Sequence, residues 1–252
     1  MKSPRHPDAE RIMVYLEALR AAMVRSGVLI CLCSLAAWPM AEGIVRRLLK
    51  GVDVDLVAFG LPESFFAFMA LSLATGLFAA VPYVLYLLFC PLPNIFTGFS
   101  QRQATALWLT ATALFYTGAF FCLEITLPYG IAFLLSYQDE RIAALISVRR
   151  FVSFCTLFVF GFGLAFELPL AMMILGRIGL LDRRRLASNR RYAILAVTIA
   201  AAILTPTPDI FNLSLMAVPL YLLYEIGLIG MRLFKAPLTD KERSRPLTGQ
   251  DV

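Results

Sequence analysis

Residues 151–180 read FVSFCTLFVFGFGLAFELPLAMMILGRIGL, and Glu167 and Arg177 are the charged residues in this run. A membrane-spanning helix needs about 20 predominantly apolar residues. As one helix, this stretch would measure about 45 Å, which exceeds a hydrocarbon core of about 30 Å. The segment therefore predicts a transmembrane helix that tilts, kinks or projects. Pro169 is the expected position of the kink.

The rest of the chain has the same apolar character. Hydrophobic residues make up 60% of the 252 residues and charged residues 16%, with a mean hydropathy of +0.76. A soluble domain has about 45–50% apolar and about 25% charged residues. The composition therefore predicts an integral membrane protein. The net charge of +6 is typical of Lys and Arg in loops that flank membrane spans. No basic stripe interleaves with aromatic residues, as nucleic-acid binding would need.

Six apolar segments predict an all-α polytopic membrane protein with six transmembrane helices in a concave bundle. The predicted domains are a cytoplasmic N-terminal segment at 1–20, a transmembrane domain at 21–234 and a cytoplasmic tail at 235–252. The spans are expected at about 21–40, 64–90, 104–127, 151–180, 192–205 and 211–234, with the third ending before Pro128. Between the first two spans, residues 44–50 mix apolar and basic side chains, which is typical of a short interfacial helix.

The fifth segment is the shortest of the six. Its roughly 14 residues would rise only about 21 Å as a helix. A re-entrant segment is one alternative, but a helix between two longer spans more readily crosses a locally thinned bilayer. Basic residues support this choice. With six spans and the N-terminus inside, 17 of the 23 Lys and Arg lie on the inner side, as the positive-inside rule expects.

Three carboxylates fall inside predicted spans, where a charge is costly and usually faces a bundle interior or a wet cavity. The first, Glu124, lies near the outer end of the third span, where snorkelling to the interface is expected. Glu167 lies within the fourth span and Glu225 within the sixth. A functional role is one interpretation; a structural hydrogen bond to a neighbouring helix is the alternative. Prolines punctuate the same segments, and Pro82 and Pro219 are expected to bend their helices by freeing backbone carbonyls.

No catalytic or cofactor-binding pattern is evident. The sequence contains no GxSxG, HExxH, P-loop or GxGxxG motif, and it has one histidine, His6. The five cysteines lie in apolar stretches and form no CxxC pair, so buried free thiols are expected. We therefore expect a protein that is not an enzyme and that uses no cofactor or metal.

Several blocks, in this order and spacing, resemble the TatC family, the multi-spanning core subunit of the twin-arginine (Sec-independent) protein translocase. The resemblance covers about residues 12–234. Its main blocks are LPESFF at 61–66, VPYVLY at 81–86, FGLAFELP at 162–169, RRYAI at 190–194, AAILTP at 201–206, PD at 208–209 and AVP at 217–219 leading to YE at 224–225.

The resemblance implies a receptor and scaffold in the cytoplasmic (inner) membrane, with both termini cytoplasmic. The family recognises signal peptides that carry two adjacent arginines. It works with small single-span subunits, as an oligomer, to move folded proteins across the membrane with the proton-motive force. The matching positions Pro82, Pro169, Pro206, Asp209 and Pro219 are then candidate partner or scaffold residues.

The sequence departs from the family where arginine recognition is expected. The family's N-terminal motif reads roughly His-Leu-x-Glu-Leu-Arg, and ungapped alignment places its glutamate on Ala18 while Arg20 is retained. Glu17 is one residue away, about 100° round a helix.

The first cytoplasmic loop of the family usually carries an acid. In this chain the loop has Ser100, Gln101 and Arg102 instead. These three residues, with Glu17 and Arg20, are the candidate signal-peptide site.

Three hypotheses follow. The first is a translocase core subunit that binds twin-arginine signals through Glu17 and other acids. The second is a divergent member that keeps the scaffold but has lost or altered signal recognition. The third is a proton-coupled small-molecule transporter that uses Glu167, which the absence of internal repeats disfavours.

Overall fold

The computed structural model describes residues 23–49, 56–60, 62–91, 93, 100–135, 146–204 and 209–233. The predicted segments at 1–20 and 235–252 lie outside these ranges. The described elements are α1 at 23–37, a 3₁₀ turn at Trp38–Met40, α2 at Ala41–Leu48, β1 at Leu56–Val57, α3 at Glu63–Phe89, α4 at Gln101–Phe121, a π-helical turn at Cys122–Thr126, α5 at Leu127–Leu135, β2 at Ile146–Ser147, α6 at Val148–Phe166, α7 at Leu168–Arg177, α8 at Arg183–Ser188, α9 at Arg190–Leu204 and α10 at Ile210–Leu233.

Within the described residues, five helical stretches are long and apolar enough to cross a membrane. They are Met23–Leu48, Glu63–Phe89, Gln101–Phe133, Val148–Arg177 and Ile210–Arg232. The first passes through the 3₁₀ turn at Trp38–Met40, beyond the expected end near residue 40. The predicted interfacial segment thus belongs to α2, which buries Ala41 and Val45 and exposes Arg46.

The helix expected to be short, α9, has 15 residues. At 1.5 Å per residue it is about 22 Å long, well under the hydrocarbon thickness of about 30 Å. Large apolar side chains on its surface are exposed, among them Ile194, Leu195, Ile199 and Ile203. These side chains suit contact with lipid or another apolar surface rather than water.

The third span does not end before Pro128. Helical structure continues from α4 through the π-helical turn into α5 and reaches Leu135. The N–H of Leu127 donates to the carbonyl of Cys122, five residues earlier. This wider turn shifts the backbone hydrogen-bond pattern just before Pro128. The helix therefore continues past the proline although Pro128 has no N–H to donate.

The long fourth segment is divided as its proline requires. Helix α6 ends at Phe166 and α7 begins at Leu168, with Glu167 at the junction. The Glu167 N–H turns back to the Leu164 carbonyl at 3.1 Å, three residues earlier. Pro169 lies in the first turn of α7, where its missing N–H costs no helical hydrogen bond. The break thus falls two residues before the position expected for the kink.

Contacts between Cα atoms divide the chain into two compact units, residues 1–162 and 163–252. In the first unit, α2, α3 and α6 share one core cluster, whose buried members are Ala41, Val45, Ala67, Leu71, Val148 and Val152. Helices α1 and α3 approach so closely at Gly76 that a Cβ there would lie 2.5 Å from the Ser34 nitrogen. A glycine is therefore needed at this crossing.

Two loop segments of the first unit are joined outside the helices. Strands β1 and β2 pair in parallel, with Leu56 opposite Ile146. Beside them, the Ser147 hydroxyl donates to the Glu63 carboxylate, which also accepts the Phe59 N–H at 2.6 Å. The pairing links the segment before α3 to the segment before α6.

In the second unit, α10 packs against α7, α8 and α9. Its buried cluster comprises Met172, Tyr224, Leu228 and Met231. This packing places one end of α9 and the α8 segment beside the Tyr-Glu pair of α10, where the polar side chains of the unit gather.

Candidate functional site

The most complete polar group in the second unit joins the start of α9 to α10. The Arg190 guanidinium contacts both oxygens of Glu225, through Nε to Oε1 at 3.0 Å and Nη2 to Oε2 at 3.0 Å. Tyr221 lies one helical turn before Glu225 and donates its hydroxyl to Oε1 at 2.8 Å. The side chains of Arg190 and Glu225 are 55% and 26% exposed, so the pair is only partly shielded from solvent.

The Glu225 carboxylate thus meets three donor groups from within the protein, two on Arg190 and one on Tyr221. A planar guanidinium and a carboxylate form two parallel charge-assisted hydrogen bonds, and the tyrosine adds a third. Tyr224, which directly precedes Glu225, is buried and donates to the Leu186 carbonyl of α8 at 3.0 Å. Together these bonds fasten α8 and α9 to α10. In the structure Glu225 is an ion-pair partner of Arg190, and its functional role stays a prediction.

Glu167 has a different environment at the junction of α6 and α7. Its Oε1 is buried and, within the described part of the chain, meets no hydrogen-bond donor. The neighbouring Pro169 is buried, and its Cα would lie 3.2 Å from a Cβ added to Gly227 of α10. A carboxyl held at a helix break, in apolar surroundings, is able to bind or release a proton or to meet a donor from outside the chain. Its functional role stays a prediction.

Ser100, Gln101 and Arg102 form the beginning of α4. Ser100 is the N-cap. Its hydroxyl accepts the Gln103 N–H at 3.3 Å, and the Gln103 side-chain oxygen accepts the Ser100 N–H at 3.1 Å. This capping box satisfies two N-terminal donors reciprocally. Gln101 and Arg102 are exposed, and the first turn carries no acid.

The electrostatics of this helix start do not favour an arginine ligand. The N-terminus of a helix carries partial positive charge, and Arg102 adds a full charge. Nothing in the first turn supplies the carboxylate that a guanidinium pair needs. The three residues have a clear structural role as a helix start, and their role in signal binding is untested.

Of the remaining candidate residues, the structure describes Asp209 and Pro219. Glu17, Arg20 and Pro206 lie outside the described residues. Asp209 precedes α10, and its two carboxylate oxygens accept from the backbone N–H of Asn212 at 2.6 Å and from its side-chain amide at 3.0 Å. This is the arrangement of an N-cap, so Asp209 fixes where α10 begins. Pro219 lies inside α10.

Pro82, inside α3, organises a contact with α4 that the sequence did not predict. A proline has no N–H, so the carbonyl of Phe78, four residues earlier, loses its helical partner. The Tyr116 hydroxyl donates to this carbonyl at 3.1 Å, and Trp108 Nε1 donates to the Pro82 carbonyl at 2.7 Å. The Tyr116 side chain therefore replaces the missing backbone bond, and Trp108 adds a second hydrogen bond that holds α3 against α4.

In the part of the chain that the structure describes, no three His, Cys, Asp or Glu side chains lie close enough to hold a metal ion. The five cysteines are free thiols, of which Cys122 and Cys155 are buried.

Sequence reasoning missed Arg190, Tyr221, Tyr116 and Trp108. Tyr221 could have been found, because it lies four residues before Glu225 on one helix face. The other three depend on which helices pack together.

Comparison with known proteins agrees with this architecture. The family model described as Sec-independent protein translocase protein (TatC) matches residues 14–219. The chain is 32% identical to the TatC protein of Desulforapulum autotrophicum over 238 residues, covering 91% of this chain and 87% of that one. It is 31% identical to the TatC protein of Aquifex aeolicus over 221 residues, covering 85% and 91%.

Solved structures agree as well. A crystal structure of the twin arginine translocase receptor TatC superposes with a TM-score of 0.76 at 30% identity, over 87% of this chain and 98% of that one. A second, of the same receptor in the detergent DDM, has the same TM-score at 31% identity and covers 87% and 99%. The predicted all-α polytopic membrane fold is confirmed. On these grounds the chain belongs to the TatC family of Sec-independent protein translocase proteins.

Proposed function

We propose that this protein is the receptor and core subunit of a twin-arginine translocase, which moves folded proteins across the cytoplasmic membrane with the proton-motive force. The observation that carries the proposal is the similarity to the solved receptors, with a TM-score of 0.76 over 87% of the chain at 30% identity. The structure adds long apolar helices and a partly exposed ion pair between α9 and α10, and neither resembles an active site. A transport component fits these features better than an enzyme.

The proposed orientation places both termini in the cytoplasm. Support comes from the distribution of basic residues, 17 of 23 on the inner side of a six-span arrangement. Helix α9, although only 15 residues long, must then cross the bilayer, and thinning of the surrounding lipid makes this feasible.

The proposed partners are signal peptides of folded proteins and small single-span subunits of the translocase. A single-span partner needs an apolar surface within the bilayer. The exposed Leu195, Ile199 and Ile203, which lie within about 80° of one another round α9, offer such a surface. An oligomeric assembly is part of the same proposal.

A second candidate, altered recognition of the signal peptide, is favoured by the start of α4. There a capping box and Arg102 occupy the positions where the family usually has an acid. Glu225, a carboxylate within the sixth predicted span, is already paired with Arg190. If a twin-arginine signal is still bound, Glu17 is the proposed acceptor, because it lies next to the position of the family glutamate.

Complementation separates the two candidates. A strain lacking its own TatC would receive this chain, and export of a folded reporter would be measured with an Arg-Arg and with a Lys-Lys signal peptide. Export that requires the arginine pair would exclude altered recognition. Export indifferent to the pair would exclude ordinary twin-arginine binding.

Variants then test the acceptor. Glu17→Ala should reduce arginine-dependent export, whereas Glu42→Ala, which removes an exposed carboxylate of α2, should leave export unchanged. Equal export by Glu17→Ala and the unmodified chain would rule Glu17 out as the acceptor. Uptake of a small solute into vesicles containing the purified chain would instead support a transporter.

A further inference from the structure

The second unit contains an apolar groove that the translocase function does not explain. It has a volume of about 570 Å³ and lies along α9, with walls from α7, α8 and α10. On α9 its floor is formed by Ala193, Ala196, Val197 and Ala200, which recur at the spacing of one helix face. Leu168 of α7 and Leu220 of α10 close the sides. Small side chains on α9 are the reason the space is open.

Arg185 lines one end of this groove, in a segment of the chain that is rich in arginine. Between residues 182 and 191 the chain carries five arginines, and with Asp182 and Glu225 as the nearby acids the net charge is +3. Glu225 holds Arg190. Arg185, which lines the groove, meets Asp182 at 3.8 Å in a pair whose side chains are 87% and 55% exposed. Such a surface pair is weak, so Arg185 can bind another anion.

Other polar groups at the same end suit the level of lipid head groups. Asn189 and Tyr192 line the groove there, and the Arg191 guanidinium stacks over the Tyr192 ring at 5.0 Å. Tyrosine beside arginine is typical of the membrane–water interface. The groove therefore runs from an interfacial, cationic mouth into an apolar interior.

Charge indicates which occupant the groove favours. From Ala193 to Ala200 the floor of the groove rises about 10.5 Å, and Arg185 lies at its mouth. An anionic phospholipid matches both features, because its acyl chain is apolar and its phosphate is negatively charged. Basic pockets between transmembrane helices are known binding sites for anionic phospholipid head groups.

We propose that this groove holds an acyl chain of an anionic phospholipid, with the lipid phosphate bound at the mouth by Arg185. Asn189 and Tyr192 supply further hydrogen bonds to the head group. The lipid would fill the space between α8 and α9 and so brace the segment that Arg190 and Tyr224 fasten to α10. The inference rests on the membrane character of the chain and is independent of how signal peptides are recognised.

Native mass spectrometry of the purified full chain would test the proposal, with equal amounts of phosphatidylglycerol and phosphatidylcholine. We expect one phosphatidylglycerol to be retained in preference to phosphatidylcholine. Arg185→Gln should weaken the retention of phosphatidylglycerol about five-fold, the effect of one arginine near a lipid surface. Its matched control is Arg46→Gln, another exposed arginine, on α2, which should have no effect.

A second pair of variants tests the apolar interior. Ala196→Trp places a large ring in the groove and should abolish retention of the lipid. Ile194→Trp, at an exposed position of the same helix that does not line the groove, should retain the lipid as the unmodified chain does.

Three results would overturn the proposal. One is equal retention of the two lipids. Another is equal loss on Arg185→Gln and Arg46→Gln. The third is full lipid retention by Ala196→Trp together with loss of a single-span partner, which would assign the groove to a protein.

Discussion

Replacing Tyr116 by phenylalanine removes one hydroxyl and leaves the Phe78 carbonyl without its donor. In the structure this hydroxyl replaces the backbone N–H that Pro82 lacks, at 3.1 Å from the carbonyl oxygen. An unpaired buried carbonyl costs about 1–3 kcal/mol, whereas hydrogen bonds between membrane helices average about 0.6 kcal/mol. Tyr116 is half-buried, so we expect Tyr116→Phe to lower the free energy of unfolding by about 1 kcal/mol.

The cause can be isolated with a second substitution. Pro82→Ala restores a backbone N–H at position 82, which can bond the Phe78 carbonyl within α3. In this background the Tyr116 hydroxyl is no longer essential, so Tyr116→Phe should cost about 0.5–1 kcal/mol less than in the unmodified chain.

Reversible unfolding in mixed micelles, titrated with a denaturing detergent, would measure the four free energies of this cycle. Tyr129→Phe is the control, because Tyr129 is 62% exposed. If Tyr116→Phe costs the same in both backgrounds, to within about 0.3 kcal/mol, the proline-freed carbonyl is not what Tyr116 stabilises.

Three further outcomes are expected. Arg190→Glu and Glu225→Arg should each lower the free energy of unfolding by about 1 kcal/mol in the same titration, because the pair is partly exposed. The double variant that exchanges the two residues should recover at least half of the lost free energy. No recovery would contradict a direct pair. Gly76→Ala should lower the free energy of unfolding by about 1–3 kcal/mol, because the new Cβ would overlap the backbone of α1. Gly43 has open space around it, so Gly43→Ala should not destabilise the protein. Equal effects of the two substitutions would refute the close crossing of α1 and α3. Glu167→Gln should keep the unfolding midpoint but reduce reporter export, and unchanged export would show that the ionisable group is dispensable.

The membrane character and most helices could be predicted because lipid imposes a simple rule on composition. Long apolar runs with charged boundaries predict spans, and the short α9 was predicted from its length alone. The course of the third span could not be predicted in this way. A proline at position 128 normally favours a helix end. The π-helical turn at Cys122–Thr126, which lets the helix continue past Pro128, has no signal in the hydropathy pattern.

The site was less predictable than the fold. A carboxylate in a span is conspicuous, so Glu167 and Glu225 stood out. The sequence did not indicate their surroundings. Glu225 meets Arg190, which lies 35 residues earlier in the chain, and Glu167 has a buried oxygen without a donor among the described atoms. Only packing decides between these outcomes. The family resemblance supplied positions for signal recognition, but two of them, Glu17 and Arg20, lie outside the described residues.

The small strand pair beside Glu63 has a consequence for biogenesis. Its partner residue Ser147 follows 84 positions later in the chain. At a synthesis rate of about 5–20 residues per second, Glu63 must wait roughly 4–17 s before Ser147 has even been made. During that interval the second and third spans are synthesised, while the segments before α3 and α6 remain unjoined. A membrane-integrated chaperone or insertase has this window in which to act, and truncation of the nascent chain before residue 147 would hold it open.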